Sequence, residues 1–142
     1  MFLGTHTPKM DDKGRFFLPM KFRDELCDGL VITRGQDRCL AVYPQHVFME
    51  MTQQITSAPG TVKQVRDFQR MLAAGASLET PDRQGRLTVA PALRAYAGLT
   101  KEIVVVGAIN RVEVWDAGAW EEYSKAQESV FAAMNEEVFP GI

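Results

Sequence analysis

The 142-residue chain suffices for one domain of ordinary size or two very small ones, and 46% hydrophobic against 24% charged residues is the balance of a soluble globular protein with a core. The net charge of −2 argues against a uniformly basic nucleic-acid coat, so any affinity for a polyanion has to come from local clusters. No window approaches the roughly 18 apolar residues of a membrane span, and "MFLGTHTPKMDDKGR" lacks a basic leader followed by an apolar run, which predicts a cytoplasmic protein without a membrane partner.

In chain order, the first element is the turn sequence "DDKGR", with Asp11, Lys13, Gly14 and Arg15, leading into the β-like run "RFFLP". The segment "MKFRDEL" follows with helical character. The stretch "GLVITRGQDRCLAVYP" then reads as a hairpin, its two apolar runs separated by Gly35-Gln36-Asp37. Pro44 suits a first helical position, and the helix behind it carries Val47, Phe48, Met51 and Ile55 on one stripe.

Pro59-Gly60 ends that helix, and Val62, Val65, Phe68, Met71 and Leu72 support another before Gly75 stops it. Seventy-one positions after the first turn the same text returns as "DRQGRLTVAP", with Asp82, Arg83, Gly85 and Arg86, followed by the helix-like "PALRAYAG". The second hairpin is "KEIVVVGAINRVEVWD", turning at Gly107-Ala108-Ile109-Asn110, and Asp116 is the N-cap of a last helix bearing Trp120, Tyr123, Gln127, Val130, Phe131 and Met134. The apolar positions of both helices are expected in the core. Three segments result: a first half at 1–57, a helical connector at 58–77, and a second half with its C-terminal helix at 78–142, all in one compact unit.

Few residues are arranged for catalysis. His6 and His46 stand in unrelated contexts, and nucleophile-elbow, P-loop, dinucleotide and HExxH patterns are missing. Cys27 and Cys39, separated by eleven residues and outside any CxxC pair, read as free thiols; with His46 they make a poor zinc site. The chain is therefore expected to be no enzyme and to need no metal or cofactor.

The repeated acid-x-x-Gly-Arg element is the exception. Asp11 and Arg15, like Asp82 and Arg86, are spaced to meet across a tight turn, Gly14 and Gly85 supply its positive φ, and a carboxylate paired with the guanidinium fixes the arginine before a ligand arrives. Positive charge gathers around both copies: Lys9, Lys13, Arg15, Lys21 and Arg23 against Asp11 and Asp12 in residues 1–23, and Arg83, Arg86, Arg94 and Lys101 against Glu79 and Asp82 in residues 79–101. Residues 102–142 hold eight acids and only Arg111 and Lys125 as cations. A few cations per chain make a weak binder, so several protomers are expected to act together.

"MDDKGRFFLPMKFR" together with "ETPDRQGRLTVAPALR" resembles the MraZ family, whose members carry two SpoVT/AbrB-type halves, each with an Asp-x-x-x-Arg motif. The likeness covers nearly the whole chain. It implies an α+β fold in which the halves form a pseudo-twofold swapped-hairpin β-barrel with flanking helices. It further implies a homo-oligomeric ring at the nucleoid that binds short direct repeats of double-stranded DNA in its own promoter, at the head of the division and cell-wall gene cluster. Arg15, Lys13, Arg86, Lys9 and Arg83 are then the expected DNA contacts, oriented by Asp11, Gly14, Asp82 and Gly85, and Gln84 in place of Lys13 makes the first copy the expected leader. The alternative is a protein-interaction module, an antitoxin-like partner with an acidic C-terminal helix as its second interface.

Overall fold

Strand β1 (Thr5–His6) opens the chain, and β2 (Arg15–Phe17) leads into α1 (Met20–Leu26); β3 (Leu30–Arg34) and β4 (Leu40–Pro44) form a hairpin, followed by α2 (Gln45–Ser57) and α3 (Lys63–Gly75). The same order then repeats as β5 (Ser77–Glu79), β6 (Arg86–Thr88), α4 (Pro91–Ala97), β7 (Ile103–Gly107), β8 (Val112–Asp116) and α5 (Ala117–Ala133). The structure is a computed structural model and describes residues 1–134 and 138–141, so Glu136 and Glu137 of the acidic C-terminal segment lie outside the described residues.

The strands form a mixed-origin antiparallel sheet in the order β1-β7-β8-β4-β3-β5 and a separate two-stranded ribbon of β2 and β6. Partners come from opposite halves at four places. Thr5 faces Val106 in β1–β7, Val31 faces Leu78 in β3–β5, Ala41 faces Glu113 in β4–β8, and Phe16 faces Leu87 in β2–β6. The first strand of each half thus pairs with the hairpin of the other. The expected closed barrel is not what forms: β1 and β5, of two and three residues, are the edges of an open six-stranded sheet, because β1 pairs only with β7 and β5 only with β3 and no ladder joins the two edges.

One apolar core joins the halves. Phe2, Phe16, Phe22, Leu26, Leu30, Ile32 and Val42 from the first and Leu87, Val89, Leu93, Ile103, Val105, Val112 and Val114 from the second lie in a single buried cluster. Alternation explains the membership, since each strand residue facing this layer is apolar while its neighbours point away. The N-terminal strand is held closely over the second hairpin: the backbone of Phe2 exchanges two 2.9 Å hydrogen bonds with Ile109, and Gly107 has no room for a Cβ beneath the backbone of Phe2 and Leu3.

Local signals match the helix ends. Asp116 caps α5, its carboxylate accepting from the Ala119 amide at 3.0 Å. Pro44 is one residue earlier than expected, ending β4 with φ −54 and ψ 143 as the residue before α2, because its carbonyl side still belongs to the β3–β4 ladder. The apolar stripes of the helices depart from expectation. Val47, Phe48, Met51 and Ile55 are only half-buried, and on α5 Val130, Phe131 and Met134 are exposed, Phe131 by 75%. The reason is geometric: α5 leaves the sheet after its first two turns, where Trp120 and Tyr123 pack on Trp115 with ring centroids 5.3 and 4.8 Å away, and its later turns have no layer to cover them.

Candidate nucleic-acid interface

Each Asp-x-x-Gly-Arg sequence folds into the same turn. In the first, the Asp11 amide donates to the Arg15 carbonyl at 2.8 Å and the Gly14 amide to the Asp11 carbonyl at 3.0 Å. In the second, Asp82 bonds to Arg86 at 3.0 Å and Gly85 to Asp82 at 2.9 Å in the same way. Gly14 and Gly85 sit at φ +79 and +82, a region that a side chain makes costly.

The aspartates organise both turns. One oxygen of Asp11 accepts from the amides of Lys13 and Arg15 at 3.0 and 2.9 Å, and the other accepts from Arg15 Nε at 2.8 Å. Asp82 repeats the pattern with Gln84, Arg86 and Arg86 Nε at 2.9, 2.8 and 2.7 Å. The expected pairing of carboxylate with guanidinium forms through a single Nε bond, because the second oxygen is taken by the turn amides. The consequence favours binding. Among the described residues neither arginine uses its two Nη groups in a hydrogen bond within the protein, so both keep a free fork. The Arg15 amide bond, with the weaker help of the Arg15 side chain, holds the Asp11 carboxyl below its ordinary value, and the Arg86 amide and side chain do the same for Asp82.

Pairing of β2 with β6 brings the arginines together. Arg15 lies opposite Thr88 and Phe17 opposite Arg86, with Phe16 and Leu87 between them facing the core at 1% exposure. The outward face thus carries Arg15, Phe17, Arg86 and Thr88, the two arginines at diagonal corners, a spacing of about 7–8 Å or less in an antiparallel pair. Phe17, half exposed between the arginines, was not singled out by sequence; its alternation with the core residue Phe16 was the available signal.

The remaining cations are spread differently than the sequence suggests. Lys13 and Arg83 are exposed on the two turns. Lys9 lies 3.7 Å from Glu102, in an exposed ion pair worth little. Arg23, grouped by sequence with the first turn, lies instead against Gly85 of the second, and Arg94 lies against Gly14 of the first. One cation crosses in each direction, so the charge difference between the two copies is unchanged. The expectation that Arg15 leads then rests on Lys13 against Gln84.

Other candidate chemistry finds no assembly. Cys27 is exposed and Cys39 buried, and among the described residues no three His, Cys, Asp or Glu side chains are grouped to hold a metal ion. Among the described residues no helix is long and apolar enough to cross a membrane.

The family model described as "MraZ protein, putative antitoxin-like" matches this chain twice, over residues 1–71 and 72–139. The chain is 72% identical over 139 residues to a protein of Cutibacterium acnes named transcriptional regulator MraZ, with 98% of each chain covered. It is 56% identical over 142 residues to proteins of that name from Thermobifida fusca and Kineococcus radiotolerans, covering 100% of this chain and 99% of theirs.

Proposed function

This chain belongs to the MraZ family, a family of transcriptional regulators and not of enzymes, and we propose that it regulates transcription by binding double-stranded DNA through the β2–β6 ribbon. The observation that carries the proposal is the pair of preorganised guanidinium groups, Arg15 and Arg86, whose free Nη forks share one exposed face. A two-stranded ribbon fits the major groove, and a guanidinium fork matches the O6 and N7 acceptors of guanine. Because Asp11 and Asp82 fix the forks in advance, little side-chain entropy is lost on contact. Lys13 and Arg83 contact phosphates beside the groove, and Lys9 contributes at its rim.

One ribbon offers few contacts, so the functional form is a homo-oligomeric ring of ribbons reading short direct repeats in the promoter of its own gene, ahead of the division and cell-wall cluster. The exposed apolar residues Phe68 and Met71 on α3 and Phe131 and Met134 on α5 support assembly, since a monomer leaves them in water. The exchange of strands between halves supports a SpoVT/AbrB-like swapped hairpin at 1–57 and 78–142 around a 58–77 connector. The protein then works in the cytoplasm, on the nucleoid.

Titration of the upstream duplex and a scrambled duplex at one salt concentration tests this reading. Arg15→Ala should erase the preference and Arg86→Ala should reduce it to a smaller extent, whereas Lys13→Ala and Arg83→Ala should weaken both duplexes alike. Folded Arg15→Ala and Arg86→Ala variants with full preference would overturn it. The interaction-module reading draws on the exposed acids Glu121, Glu122 and Glu128 of α5, and it gains if the wild type binds no duplex at all.

A further inference from the structure

Each half of the chain carries one arginine at the same place in its short helix, Arg23 in α1 and Arg94 in α4. Both are near the last turn of a seven-residue helix, where a cation suits the helix dipole, and an ordinary surface role would leave the guanidinium in solvent. The structure does something else with them.

The Arg23 guanidinium lies on the Gly85 turn of the opposite half. A Cβ on Gly85 would stand 2.5 Å from Arg23 Cζ and 2.6 Å from Nε. Reciprocally, a Cβ on Gly14 would stand 2.8 Å from both Cζ and Nε of Arg94. Backbone bonds lock each contact at the same point: the Leu18 amide donates to the Gly85 carbonyl at 2.9 Å, and the Val89 amide to the Gly14 carbonyl at 2.8 Å. Arg23 Nε donates to the Leu18 carbonyl at 2.9 Å, which fixes the plane of its guanidinium beneath the turn. Arg94 Nε is buried without a hydrogen-bond partner, so the Arg94 plane is held by packing alone.

We propose that Arg23 and Arg94 are positioning residues that act crosswise: Arg23 holds the second turn and hence Arg86, and Arg94 holds the first turn and hence Arg15. A flat guanidinium against a glycine at positive φ fills the space where any other residue would place a Cβ, which fixes the turn from below while its aspartate fixes it from above. Two consequences distinguish this from a solvent-facing role. The helix arginine of the same half does not serve a DNA-reading arginine, and each half depends on the other for the order of its own site. The first turn, beneath which the Arg94 Nε has no hydrogen bond, is the more easily loosened of the two.

The inference rests on the ribbon being the DNA-contacting face, and the test separates the two claims. Hydrogen–deuterium exchange of the full-length protein without DNA reads the turns directly. Arg23→Ala should speed exchange across residues 82–86 about fivefold or more and leave residues 11–15 unchanged, and Arg94→Ala should do the reverse. The opposite pattern, or no change in either turn, overturns the crosswise assignment whatever becomes of DNA binding. Arg23→Lys, which keeps the charge and the stem but not the plane, serves if Arg23→Ala does not fold, and should loosen the same turn less.

The DNA arm uses a readout that mere destabilisation does not move. Arg23→Ala should lower specific affinity by the same factor as Arg86→Ala, about tenfold, with the double variant no weaker than either, while Arg23→Ala and Arg15→Ala should multiply. The salt slope should stay at the wild-type value in Arg23→Ala; a fall of about 0.9 makes Arg23 a direct phosphate contact and overturns its positioning role. If wild-type protein binds no duplex while the exchange pattern holds, the reading of the ribbon fails and the crosswise support of the turns stands.

Discussion

Replacing Gly14 by alanine perturbs the first turn in two ways that the structure separates. The first is conformational: at φ +79 an L-residue costs about 1–2 kcal/mol. The second is steric, because the new methyl would stand 2.8 Å from the Arg94 guanidinium and 3.0 Å from the Val89 carbonyl. The guanidinium can move, but the carbonyl belongs to a fully buried residue whose amide is bonded to Gly14 at 2.8 Å, so overpacking adds about 1–3 kcal/mol. Gly98 supplies the control, with φ +64 and nothing within 4 Å of its would-be Cβ, so Gly98→Ala carries the conformational cost alone. Gly85→Ala falls between them, since its three nearest atoms all belong to the Arg23 side chain, which yields more readily than backbone at the cost of its bond to the Leu18 carbonyl. Denaturant unfolding of the three variants at one protomer concentration, which keeps any assembly equilibrium comparable, should order them Gly14→Ala, Gly85→Ala, Gly98→Ala from most to least destabilised. The first and last should differ by at least about 1 kcal/mol. A Gly14→Ala variant no less stable than Gly98→Ala would refute the claim that the halves are packed against each other's turns.

Acid should disorder both turns in one narrow range. The folded pKa values of Asp11 and Asp82 lie below the ordinary 3.8, so their contribution is complete above that value and is lost as pH falls through the folded values; duplex affinity should not change through the titration of these groups between pH 5 and 8, and an Asp11 or Asp82 carboxylate titrating above pH 4.5 by NMR contradicts this. Burial pushes the Cys39 thiol up to about 12, so iodoacetamide at pH 8 should alkylate the exposed Cys27 and spare Cys39 until urea is added; equal labelling of both by mass spectrometry would show the hairpin tip to be open. Val130→Ser with Phe131→Ser should leave the fold intact and reduce the mass seen by light scattering, because both side chains are exposed and lie outside the buried core; an unchanged mass removes α5 from the assembly surface.

Much of this molecule is legible in short stretches of its sequence. "DDKGR" and "DRQGR" specify their turns because aspartate, glycine and arginine at these spacings satisfy one another within five residues. Asp116 announces α5, and the hairpin over 29–44 is visible in its two apolar runs around Gly35-Gln36-Asp37, where Asp37 takes φ 62. All of these rest on interactions between near neighbours, which a linear reading contains. Which strand meets which is another matter. The pairing of β2 with β6 across the 71-residue repeat, the β1 and β5 edges that leave the sheet open, and the passage of Arg23 and Arg94 beneath each other's glycine turns depend on distant segments arriving at one place. An amphipathic helix likewise states that one face will leave water but not what covers it, so the same pattern that buries Phe22 in α1 leaves Phe131 of α5 in solvent. The sequence by itself determined the two arginine turns and the elements around them. Only the tertiary structure, by closing long loops of chain, decided that the arginines share one face and that each is held there by the other half.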